Sequence, residues 1–74
     1  MIFELWDRKT GNLLGEFTSP PEALELVWEI IQDDGPKAAE TLGLGMVEEG
    51  HPVKLYDGSL LIKMARQTHL TAAS

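Results

Sequence analysis

The apolar and polar positions fall into short alternating runs on either side of one long stretch of helical period. Residues 2 to 7 and 13 to 17 have strand character. Arg8-Lys9-Thr10-Gly11-Asn12 joins them and contains a Gly that can take a positive φ, so the pair predicts a β-hairpin. Alternation puts Phe3 and Leu5 on one face, and Ile2 and Trp6 on the other with Glu4 between them. Both faces of this hairpin therefore carry apolar weight.

Ser19-Pro20-Pro21-Glu22 predicts the start of the main helix. Ser19 can accept from the backbone near Glu22 while Glu22 reaches back, and Pro20 takes the first helical position, where an N–H is not needed. Asp33-Asp34-Gly35-Pro36 predicts the stop, a C-terminal Gly followed by a residue that cannot continue the ladder. Over about 19 to 34, Leu26, Ile30, Ala23, Val27, Ile31, Leu24 and Trp28 share one arc of roughly 200° at about 100° per residue. Glu22, Glu25, Glu29, Gln32 and Asp33 fill the remainder. Such an arc exceeds what one sheet covers, so the spare flank of this helix, or the uncovered face of the sheet, is expected to meet a partner.

Residues 36 to 41 suit a short helical turn. Leu42-Gly43-Leu44-Gly45-Met46-Val47 then alternates large and minimal side chains, which leaves one face of that strand thin. Glu48-Glu49-Gly50-His51-Pro52 turns the chain into Val53-Lys54-Leu55-Tyr56, a second hairpin. Asp57-Gly58 could be a two-residue turn into a fifth strand. Composition favours a short C-terminal helix over about 59 to 67, because Leu60, Leu61, Met64 and Ala65 share a helical face opposite Ser59, Lys63 and Arg66. The expectation is an α+β domain of order ββαββα, spanning residues 1–67. Its four-stranded antiparallel sheet carries both helices on one face, and residues 68–74 follow as a frayed tail.

With 74 residues and no cysteine, the chain must fold on a small core without disulfides or Cys-type zinc. Its first residues are acidic where a signal peptide is basic, and no run approaches the roughly 20 apolar residues of a membrane span; a soluble cytoplasmic protein is expected. Net charge is −6, with eleven acids against three bases in residues 1–50. The three cations among residues 51–74 are dispersed, a poor footprint for phosphate, so neither nucleic acid nor membrane is expected as a partner.

No spacing demands a particular chemistry. Glu22, Glu25 and Glu29 form a helical stripe that a metal or solvent could face, and Asp33-Asp34 lacks the alternating ligands of a calcium loop. His51 and His69 have no second ligand nearby in sequence. Ser19 and Ser59 read as helix caps rather than nucleophiles. Gly43-Leu44-Gly45 is not followed by a helix that could aim N–H groups at phosphate. No catalytic residue, cofactor or metal is expected, and no enzyme. Aromatic and apolar anchors remain: Trp6, Leu24, Trp28, Ile31 and Tyr56 are candidate interface residues, with ordinary core packing as the alternative.

Ile2-Phe3-Glu4-Leu5-Trp6-Asp7, Gly11-Asn12-Leu13-Leu14-Gly15, Phe17, Glu22-Ala23-Leu24 and the stretch from Gly58 to Ala65 together resemble a group of short bacterial hairpin-helix-hairpin proteins. The resemblance implies a fold and no activity. The first half is also similar to HicB-like antitoxins, without the glycine-aspartate and proline signature of their second strand. Two functional readings follow: a protein-protein interaction module or homodimer acting as a small regulator, and a small-ligand or divalent-metal-responsive domain.

Overall fold

The computed structural model describes residues 1–73. Strands β1 (Ile2–Asp7) and β2 (Asn12–Phe17) lead into α1 (Pro20–Asp34) and a single-turn α2 (Pro36–Ala39). Strands β3 (Leu42–Glu48) and β4 (His51–Asp57) follow, and α3 (Gly58–Ala73) ends the described chain. The four strands form one sheet in the order β2-β1-β3-β4, antiparallel throughout. The fold is α+β, of order ββαββα with α2 as an appendage to α1.

Turn chemistry sets both hairpins. Gly11 takes φ +76° and its N–H donates to the Asp7 carbonyl at 2.7 Å, while the Lys9 N–H donates to the Asp7 carboxylate at 3.0 Å. In the second hairpin Glu49 and Gly50 both have positive φ, +52° and +79°, the conformation of a two-residue turn whose twist matches the strands. This turn is tighter than the sequence suggests: His51 and Pro52 already belong to β4, where Pro52 is tolerated because β4 is an edge strand.

One face of the sheet is the core. Phe3, Leu5, Leu42 and Leu44 form a single buried cluster with Ala23, Leu24 and Val27 of α1, Ala39 of α2, and Leu61 and Ala65 of α3, so both long helices cover the same face. Each fully buried leucine contributes about 1.5–3 kcal/mol.

The helices depart from the sequence reading in three respects. Ser19 is the N-cap residue of α1, with extended φ and ψ, but its side chain makes no capping hydrogen bond. Prolines at the first two helical positions remove two of the N–H groups a cap would satisfy. The stop is as expected, with the Gly35 N–H donating to the Ile31 carbonyl at 2.8 Å. Second, α3 begins at Gly58, with no fifth strand, and runs 16 residues to Ala73. Thr68 to Ala73, expected as a tail, are therefore helical; Ser74 lies outside the described residues. Third, the surplus apolar arc of α1 closes internally. Leu26, Trp28, Ile30 and Ile31 pack partly buried against the core cluster, and the Trp28 ring stacks on His69 of α3, with centroids 4.7 Å apart at 22°.

Candidate functional site: the open face of the sheet

Among the described residues no helix covers the sheet face opposite α1 and α3, and its residues follow from the register. Ile2, Glu4 and Trp6 of β1 alternate with the buried Phe3 and Leu5. Across β3 they meet Val47, Gly45 and Gly43, and across β2 Glu4 meets Glu16 and Trp6 meets Leu13. On β4, Leu55 lies opposite Gly45. Bulges fall beside Leu14 on β2 and Val53 on β4, bending both edges. Ile2, Leu13, Leu14, Val53 and Leu55 are 41–58% exposed.

The two glycines of β3 make the middle of this face shallow. A Cβ on Gly43 would stand 2.9 Å from Arg8 Cδ and 3.4 Å from Leu55 Cδ1, so the aliphatic stem of Arg8 fills that position. Its guanidinium pairs with Asp57 at 2.8 Å, with both side chains about half exposed (50% and 44%), a geometry worth about 0–1 kcal/mol. Over Gly45 a Cβ would have only the Glu4 carbonyl oxygen for company, at 3.9 Å. The Trp6 indole N–H donates to Glu4 Oε1 over a long 3.4 Å. At the Ile2 end a small hollow of about 180 Å³ is lined by Ile2, Glu16, Phe17 and Thr18.

Of the five interface candidates, Trp6 alone stands on this face. Leu24 is 4% exposed and belongs to the core, which corrects its reading as a contact residue. Trp28 and Ile31 are half-buried against the core. The Trp28 indole N–H is buried without a hydrogen-bond partner. Tyr56 pairs with Leu44 on the core face, and Lys54 Nζ sits 5.2 Å from its ring centroid. Leu13, Leu14, Val53 and Leu55 were not singled out from sequence, although Ile2 and Trp6 facing away from Phe3 and Leu5 already gave the hairpin apolar weight on both faces.

A second concavity lies between α1 and α3, an open groove of about 300 Å³ lined by Leu24, Leu60, Lys63, Met64, Gln67 and Thr68. Among the described residues no three or more His, Asp or Glu side chains gather where they could hold a metal ion. Glu22, Glu25 and Glu29 point outward from α1 as exposed residues. Among the described residues no helix is long and apolar enough to cross a membrane. No protein-family model, curated protein or solved structure matches the chain, so functional assignment rests on this geometry.

Proposed function

We propose that the chain is a non-enzymatic protein-protein interaction module, acting as a small regulator, and that it binds through the open face of its sheet. The observation that carries this reading is where the exposed apolar side chains lie. Of the eight large apolar residues exposed among the described residues, five, Ile2, Leu13, Leu14, Val53 and Leu55, belong to the sheet; Leu60 and Leu70 of α3 and Met1 are the others, and no large apolar residue of α1 is fully exposed. Exposed apolar side chains gathered on one sheet beside charged groups are a usual mark of a contact surface. Catalysis needs several convergent polar groups, and this face offers one exposed ion pair and two carboxylates. The small-ligand reading rests on the α1–α3 groove, whose single cation, Lys63, would suit an anionic amphiphile.

The test is affinity capture from the native organism with the wild-type chain, the double variant Leu13→Ser/Leu55→Ser, and Glu25→Gln/Glu29→Gln as a control on the opposite side. Both substituted leucines are already exposed, so the fold is expected to survive. The expected result is a partner retained by wild type and control and lost by the double variant. Identical recovery by all three chains would remove the sheet face from the interface.

A further inference from the structure

The open face is apolar but not neutral, and its charges are unequally satisfied. Arg8 and Asp57 pair with each other at one end. Glu4 and Glu16 stand directly opposite on β1 and β2, where like charges repel, and the one bond either makes is the long contact from Trp6 to Glu4. The hollow beside them has an apolar wall (Ile2), a ring (Phe17) and a carboxylate (Glu16). These surfaces suit the aliphatic stem and charged head of Lys or Arg.

We propose, resting on the interaction reading above, that the partner is a protein segment presenting Lys or Arg among apolar side chains. Its cation is received by the Glu4–Glu16 pair, and its apolar residues cover Trp6, Leu13 and Leu55. Charge complementarity singles out this occupant. A second copy of the chain brings net charge −6 to the face, and Arg8, the one cation of that face among the described residues, is already engaged by Asp57. A nucleic acid would bring phosphate to two carboxylates. The partner's cation between the two carboxylates offsets a repulsion that the free state tolerates only because water screens it.

The experiment uses Trp28→Phe as background, so that Trp6 is the sole indole, and titrates it at low salt with a synthetic peptide of alternating Lys and Val. The same peptide with Glu in place of Lys serves as control. Saturable change in Trp6 emission with the Lys peptide alone is expected. Glu4→Gln/Glu16→Gln should weaken binding by about tenfold or more, and Glu25→Gln/Glu29→Gln, which removes the same charge elsewhere, by less than about threefold. Equal weakening by both pairs, or no binding by the Lys peptide, would overturn the inference. So would a concentration-dependent dimer in sedimentation equilibrium, which would make the second copy the occupant. Should the Leu13→Ser/Leu55→Ser chain lose its native partner while Glu4→Gln/Glu16→Gln keeps it, the basic chemistry fails and the interaction reading stands.

Discussion

Replacing Leu44 with alanine is expected to lower the unfolding free energy by about 3–4 kcal/mol, the central range for a core Leu→Ala change that leaves a cavity. Leu44 is 0% exposed and occupies the middle of the core face on a central strand, opposite Leu5 on β1 and Tyr56 on β4. A chain of 74 residues has roughly 4–11 kcal/mol of stability in total. The variant therefore loses a large part of its margin, which urea denaturation followed by circular dichroism measures. Leu55→Ala on the other face of the same sheet is the comparison. Leu55 is 58% exposed, and its truncation should change stability by less than about 0.5 kcal/mol. Equal losses for the two leucines would mean that the sheet buries both faces, and the open-face account would be wrong.

The second large effect concerns the end of α3. A chain terminated after Gln67 loses the last turns of the helix, including the His69 ring stacked on Trp28 and Thr68 at the groove wall. Aromatic stacking contributes about 0.5–1.5 kcal/mol beyond buried area. With the packing of the lost turns, the truncation should destabilise by about 1–2 kcal/mol, or roughly 5–15 °C in melting temperature for a domain this size. Trp28 emission should shift to the red as its ring meets water. An unchanged melting curve and spectrum would show that residues beyond 67 contribute nothing to the fold.

That helix end was illegible in the sequence for a physical reason. Thr68, His69 and Thr71 are weak helix formers, so local propensity ends the helix near Gln67, whereas tertiary stacking on Trp28 continues it. The start of β4 was misplaced because Glu49-Gly50 closes the hairpin in two residues, leaving His51 and Pro52 to the strand. Where a single residue type dictates backbone geometry, sequence and structure agree: Gly11 in the first turn, and Gly35 at the α1 stop with φ +89°. Periodicity put Ala23, Leu24 and Val27 on one apolar arc, and the structure buries all three, including the interface candidate Leu24. The width of the α1 arc suggested a flank kept for a partner, but α3 covers it instead. Which surface remained uncovered depends on how far α3 reaches, a quantity no local pattern contains. Of the two candidate surfaces, the helix flank and the sheet face, the strands remain, with Trp6 on them.

The central claim is that the open sheet face is the contact surface. Its most direct test is the methyl NMR spectrum of the isotope-labelled chain, recorded alone and with the partner recovered by wild-type capture. The account predicts shifts and broadening at Ile2, Leu13, Val47 and Leu55, on the open face, with Leu60 and Leu70 of α3 unchanged. Perturbation centred on Leu60 and the groove residues Leu24 and Met64, with the strand methyls silent, would contradict it.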